Sequence, residues 1–225
     1  MTLFDAASTP LPRRLRDGLD RLSMALKADQ WSSANAVGLN PTQAHVLSFL
    51  AGRGNGGMRV TAIANHLGVT QPTATDSIAA LERKGLVAKS ADESDARAIA
   101  VAVTEAGRDA VKAIGQSTMA TDGALGSLTP GEQEDLLILI TKLIRSLQVA
   151  GAISEQRMCA TCEYFRPYAF AGSDLPHHCA FVNAPFGNRH LRLDCGDHQP
   201  AEPSLQSSNW KAFTAAGSAS PPTRN

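Results

Sequence analysis

Apolar residues recur at helical spacing along the first two thirds of the chain. From Pro12 to about Gln30, Leu15, Leu19, Leu22 and Leu26 follow at steps of four, three and four, with Arg13, Arg14, Arg16, Asp17 and Asp20 for the wet side. A second helix opens after Asn40-Pro41-Thr42, carries Val46, Leu47, Phe49 and Leu50, and ends in the Gly-rich stretch from Gly52 to Gly57. A third is predicted from Thr61 as its N-cap, with Ile63 and Leu67 on one face and Gly68 as its stop. Thr70 then caps a fourth helix, with Pro72 in its first turn, that runs to about Lys84 before Gly85.

Two short helices across a tight Gly turn predict a helix-turn-helix. In the second, Ala74, Ile78 and Leu81 share the core face, while Thr73, Asp76, Ala80 and Arg83 project outward and Gln71 and Pro72 stand at its start. Short polar groups on an exposed helix start suit the DNA major groove, where backbone N–H groups also meet phosphates. Leu86–Ser90 and Ala98–Val103 then read as two strands joined by residues 91–97, a hairpin in the position of a wing. Thr104 caps a helix holding Ala110, Val111 and Ile114, and a final helix follows Thr129-Pro130 with Glu132, Glu134 and Asp135 in its first turn. The stripe Leu136, Ile140, Leu143, Ile144 and Leu147 on that helix is too broad for solvent and, with the first helix, predicts a dimerisation surface.

The strings LNPTQAHVLSFLA and VTAIANHLGVTQPTATDSIAALERKGLVAKSADESDARAIAVAVTEAGR resemble, element by element, the MarR family of winged-helix transcription regulators over roughly residues 10 to 148. The resemblance implies an obligate dimer on a pseudo-palindromic double-stranded DNA operator. It matches Arg97 to the wing arginine that enters the minor groove and Asp95 to the acidic residue that braces it. It also places Thr70, Gln71, Pro72, Thr73 and Asp76 on the base-facing side of the recognition helix. Asp76 departs from the family, where a basic residue is common. A carboxylate repels phosphates but accepts a hydrogen bond from cytosine N4.

Charge changes this picture little. Lys+Arg and Asp+Glu number 21 each over the 225 residues, so anionic DNA must be met by a local patch rather than by bulk charge. Leu136–Ile140, the longest run of large aliphatic residues, is far too short to cross a bilayer. The amino-terminal stretch MTLFDAASTPLPRRLRD lacks the apolar core of a signal peptide, so a cytoplasmic protein without a membrane partner is expected. No nucleophile–base set supports catalysis, and no enzyme is expected.

The cysteines do change it. All four, Cys159, Cys162, Cys179 and Cys195, fall in one segment that also holds Tyr164, Phe165, Tyr168, Phe170, Phe181 and Phe186. A C-x2-C turn followed by two single cysteines in a small aromatic-rich segment predicts a bound metal that supplies folding free energy. Zinc sites commonly use two tight knuckles, and here there is one. The strings CATCEYF, CAFVNAPFG and LDC resemble in spacing the high-potential iron–sulfur proteins over about forty residues, which implies an iron–sulfur cluster rather than zinc. Free thiols remain an alternative, as do His177, His178 or His198 as a substitute ligand.

The expected fold is mainly α with a small β-wing: a winged helix-turn-helix plus helical dimerisation region, followed by a small Cys-rich module. Residues 1–148 form the DNA-binding and dimerisation domain, with the winged helix over about 40–104 and dimer helices over about 11–30 and 105–148. Residues 149–200 form the metal module, and 201–225, rich in Pro, Ser and Ala, a disordered tail onto which Trp210 and Phe213 could dock. The expected function is a dimeric transcription repressor modulated by redox state or metal supply. Two alternatives stay open: a structural zinc site with a small apolar or phenolic effector, and a redox or electron-transfer protein built on a helical scaffold.

Overall fold

The structure, a computed structural model, describes residues 9–53, 57–92, 95–117 and 119–216, without the side chains from 92 to 97. Helix α1 (Leu11–Ala36) is six residues longer at its end than the leucine repeat predicts, and buries only Ser33 and Ala34 there. Helix α2 (Pro41–Ala51) starts in a reciprocal capping box: Asn40 Oδ1 accepts from Gln43 N at 2.9 Å and Gln43 Oε1 accepts from Asn40 N at 3.3 Å. Its Val46, Leu47 and Leu50 are buried against Ile63, Ile78, Leu81, Val87, Val101 and Val103, the centre of the core.

Strand β1 (Met58–Arg59) leads into α3 (Val60–Leu67). The N-cap of α3 is Arg59, with no side-chain cap bond, so Thr61 lies inside the helix and is not its cap. Gly68 at φ 64° makes the left-handed turn into α4 (Gln71–Arg83), a conformation that costs glycine nothing. Strands β2 (Val87–Asp92) and β3 (Asp95–Val103) pair antiparallel from Val87↔Val103 to Ala91↔Ile99, leaving a shorter connection than the predicted 91–97. Strand β1, absent from the sequence reading, adds to the free edge of β3 through Met58↔Val101.

Helix α5 (Glu105–Gly115) is capped by Thr104, whose Oγ1 accepts from Gly107 N at 3.1 Å and donates to Gly85 O at 2.8 Å. One hydroxyl thus ties the exit of α4 to the entry of α5. Helix α6 (Ala120–Gly126), also unpredicted, takes its cap from α1: Asp29 accepts from Ala120 N at 3.2 Å, Thr121 N at 2.9 Å and Thr121 Oγ1 at 2.6 Å. Those bonds hold the Asp29 carboxyl below its ordinary pKa. Helix α7 (Pro130–Val149) opens with a Thr129–Glu132 capping box. Leu139, Leu143 and Leu147 on α7, and Leu11, Leu15, Leu19, Leu22 and Leu26 on α1, stay exposed in the single chain. None of the described helices is long and apolar enough to cross a membrane.

The cysteine segment has a fold of its own. A three-stranded antiparallel sheet, β4 (Phe165–Arg166), β5 (His177–Cys179) and β6 (Ala184–Phe186), stands between 3-10 turns at Cys159–Thr161 and Asn188–His190. Leu137 and Ile138 of α7 pack on it, and Arg189 bonds Glu134 at 2.7 Å, so α7 serves both units. The expectation of a disordered tail is corrected for residues 203–216, which form α8 (Pro203–Ala216). Phe213, 1% exposed, packs edge-on to Phe165, and Asn209 Nδ2 donates to Phe165 O at 2.8 Å. Aromatic burial orders this stretch despite its loop-like composition.

Candidate nucleic-acid interface and four-cysteine cavity

The outer face of α4 is built by its cap. Thr70 Oγ1 accepts from Thr73 N at 3.3 Å and shares a 2.8 Å hydrogen bond with Thr73 Oγ1, which fixes the first turn. Gln71, Pro72, Thr73 and Asp76 are all exposed, while Ala74, Ile78 and Leu81 are fully buried. This polar start, at the positive end of the helix dipole, is chemically fit for base edges and phosphates. Thr75, which no sequence motif singles out, is also exposed there, and its hydroxyl donates back to Gln71 O at 2.9 Å. The side chains of Asp95 and Arg97 lie outside the described residues, although their backbone belongs to β3.

The turn behind the helix pair holds an unusual group. Arg53, just after α2, has a side chain only 3% exposed and bonds Asp194 Oδ1 at 2.8 Å. Its guanidinium lies 4.2 Å from the centre of the Phe49 ring, and Phe49 stacks on His66 of α3 at 4.1 Å. Burial, with Arg53 and Arg157 nearby, pushes the His66 pKa below its ordinary value against the opposing pull of Asp194.

All four cysteines line one cavity of about 350 Å³, walled by Tyr164, Phe165, Phe181 and Phe186. The first two are placed by the 3-10 turn, in which Cys162 N donates to Cys159 O at 3.0 Å. Cys179 ends β5 opposite Phe165, and Cys195 N donates to Arg157 O at 2.8 Å. Two donors already face sulfur: Arg192 N lies 3.3 Å from Cys159 Sγ, and Arg192 Nη1 lies 3.4 Å from Cys195 Sγ. Burial pushes the Cys159 thiol up to about 11; the Arg192 N–H opposes this, and the other three cysteines add to it. A thiol held neutral in this way is a poor free nucleophile, and a cationic centre is what makes its thiolate favourable.

Among the described residues, no three His, Cys, Asp or Glu side chains converge closely enough to hold one ion. Tetrahedral zinc needs four sulfurs at about 2.3 Å from a single point. All four cysteines nonetheless border the one cavity, and thiolates are the ligands of zinc sites and iron–sulfur clusters alike. The histidines raised as substitutes are engaged elsewhere. His177 Nδ1 accepts from Tyr168 N at 3.2 Å and its Nε2 meets Asn188 Oδ1 at 2.9 Å, while His198 Nε2 meets Thr161 Oγ1 at 2.9 Å. His178 alternates to the other side of β5 from Cys179, against Phe170. His190, Arg192 and Asp197, which the sequence does not single out, are the polar groups that do line the cavity.

No curated protein matches the chain. Among solved structures it is similar to S. aureus MepR in its DNA-binding conformation, at 25% identity, covering 60% of this chain and 98% of that one with a TM-score of 0.51. It shares its fold with the transcriptional regulator SlyA, at 20% identity, covering 60% and 95% with a TM-score of 0.51. Both alignments leave about two fifths of the chain unmatched. The model of the MarR family matches residues 37–98, the stretch from the entry of α2 into the wing, and over that stretch the chain carries a MarR-type winged helix.

Proposed function

We propose that this chain is a DNA-binding transcription regulator that acts as a homodimer on a pseudo-palindromic operator and represses from it. The observation that carries the reading is α4: an amphipathic helix with its core face fully buried, a threonine-capped polar start in solvent, and a two-stranded wing directly after it. Its base-facing residues are Thr70, Gln71, Pro72, Thr73 and Asp76; the resemblance further assigns Arg97 to the adjacent minor groove and Asp95 to its support. The dimer buries the leucine stripes of α1 and α7 that one chain leaves exposed. The 25% identical MepR structure, described as a DNA-binding conformation, supports the DNA-binding reading.

The reading extends to the second unit. We further propose that Cys159, Cys162, Cys179 and Cys195 hold an iron–sulfur cluster rather than zinc: all four line one aromatic-walled cavity, and one C-x2-C pair with two single cysteines lacks the second knuckle common in zinc sites. Bound there, the cluster supplies reversible one-electron chemistry and a target for oxidants. The chain's own part would be to enclose it among aromatic rings and to aim the Arg192 N–H groups at the Cys159 and Cys195 sulfurs. Selection of bound duplexes from a random pool tests the DNA reading: inverted repeats should be enriched, and a pool left unenriched refutes it. Iron and sulfide analysis of anaerobically purified protein tests the cluster, which stoichiometric zinc without sulfide would exclude.

A further inference from the structure

The cysteine module meets the winged helix beside one of its own cysteines. Asp194, which bonds Arg53, directly precedes Cys195. The backbones are close as well: a Cβ on Gly196 would stand 3.4 Å from Gly52 O, and one on Gly52 would stand 4.0 Å from Asp194 Oδ2. Arg157 holds the same loop from behind, with its guanidinium on Gly196 O and its carbonyl on Cys195 N. From Asp194 the contacts run without a gap through Arg53 and the Phe49 ring to His66 in the last turn of α3. Helix α3 is the first helix of the pair that presents α4.

Charge makes this contact consequential. A buried guanidinium is tolerable only beside a counter-charge, and Arg53 Nη2 is already buried without a hydrogen-bond partner. Asp194 supplies the charge, yet its own side chain is 40% exposed and held by a loop, so its position depends on what fixes that loop. Cys195, the next residue, would fix it with its sulfur bonded to a cluster. Arg192 reinforces the hold by donating to Cys159 and Cys195 together.

We infer that residues 192–197 couple the cluster to DNA binding: the loaded cluster pins Asp194 on Arg53, and this pins α3 and α4 in the DNA-ready arrangement. The inference rests on the reading of the cavity as a cluster site. With the cluster removed the loop loosens, Arg53 loses its counter-charge and turns toward water, and the Phe49–His66 stack behind the recognition helix is released. A pre-arranged recognition helix binds DNA more tightly than one that must be ordered on contact. Asp194 and Arg53 are positioning residues: neither lines the cysteine cavity, and they act through the loop and the Phe49–His66 stack.

The test uses the full chain purified anaerobically, with iron and sulfide content measured beside affinity. The probe is a fluorescein-labelled duplex selected from a random pool by the loaded wild type. Removing the cluster by chelation should weaken wild-type binding by roughly tenfold, within the usual range of coupling between sites. Asp194→Asn should keep its iron and bind with the weaker affinity whether loaded or not, and Asp194→Glu should restore the dependence. Asp194 is chosen over Arg53 because a partly exposed residue can be replaced without unfolding the core. Equal affinity of iron-loaded and cluster-free wild type overturns the coupling while leaving the cluster reading intact. So does an Asp194→Asn protein that keeps the full dependence. Wild type without iron overturns both.

Discussion

Alanine at Gly107 should destabilise the protein, although alanine in place of glycine within a helix ordinarily stabilises it by about 1 kcal/mol. Gly107 sits in the first turn of α5, where a Cβ would stand 2.1 Å from Leu86 O and 2.7 Å from Val103 Cγ2. The oxygen belongs to backbone between the recognition helix and the wing, and it accepts the Thr104 N–H at 3.1 Å. It cannot rotate aside as a side chain could, so α5 must lift away. Overpacking of this kind costs about 1–3 kcal/mol, and loss of the hydrogen bond adds about 1 kcal/mol. Set against the helix-propensity gain, the net loss is about 2 kcal/mol, or about 4–8 °C in Tm for a chain of this size. Gly123 in α6 is the control, because a Cβ there meets nothing within 4 Å; Gly123→Ala should raise Tm slightly. Thermal melts followed by far-ultraviolet circular dichroism compare both variants with wild type. A Gly107→Ala protein as stable as Gly123→Ala would show that α5 is not seated on the Leu86 carbonyl.

Arg97→Ala should weaken binding to the selected duplex by roughly 1–3 kcal/mol and relax any A·T preference beside the half-site, while Thr73→Ala should alter discrimination at one major-groove position; unchanged affinity in both would refute the contacts proposed. Serine at any one of Cys159, Cys162, Cys179 and Cys195 should lose most of the iron, a hydroxyl being a poor soft ligand, and loosen the module to protease while α1–α7 keep their helical signal; unequal effects with no iron in the wild type point instead to separate thiols. His66 has its pKa lowered by burial, so around and below the ordinary histidine value of 6.5 the unfolded chain binds more protons than the folded one. Stability therefore rises with pH through that window, is fully present above it, and is lost as pH falls toward the folded pKa. Burial lowers His177 and His198 in the same direction, so His66→Gln should flatten the fall in Tm between about pH 7 and about pH 5 only in part, and an unchanged slope would count against the buried stack.

Where local chemistry decides an element, it was legible. Thr70, Thr104 and Thr129 cap their helices as their positions predict, and Ala74, Ile78 and Leu81 mark the buried side of α4 without help from the rest of the fold. Elements that depend on distant partners were not. Helix α6 is seven residues long and capped by Asp29, about ninety positions earlier, so its own sequence carries no start signal. Strand β1 is two residues that exist only because β3 offers an edge. Helix α8 is ordered by Phe213 against Phe165 and by Asn209 on the Phe165 carbonyl, contacts invisible in a stretch of Pro, Ser and Ala. The cysteine spacing pointed to one site, but its polar lining by His190, Arg192 and Asp197 comes from how β6 and the last loop return. Asp194 lies in the LDC string, but that string marks only the cysteine beside it. Its significance lies in a pairing with Arg53 that only the folded chain brings about.

The central claim is that two copies of α4 read DNA across a dyad, and a hydroxyl-radical footprint on the selected duplex tests it most directly. Two protected segments should appear, related by two-fold symmetry, with recognition centres about 34–36 Å apart, one turn of the double helix. Protection of a single half-site at a stoichiometry of one chain per duplex would contradict the dimer, and no protection at all would contradict the assignment of α4 as the recognition helix.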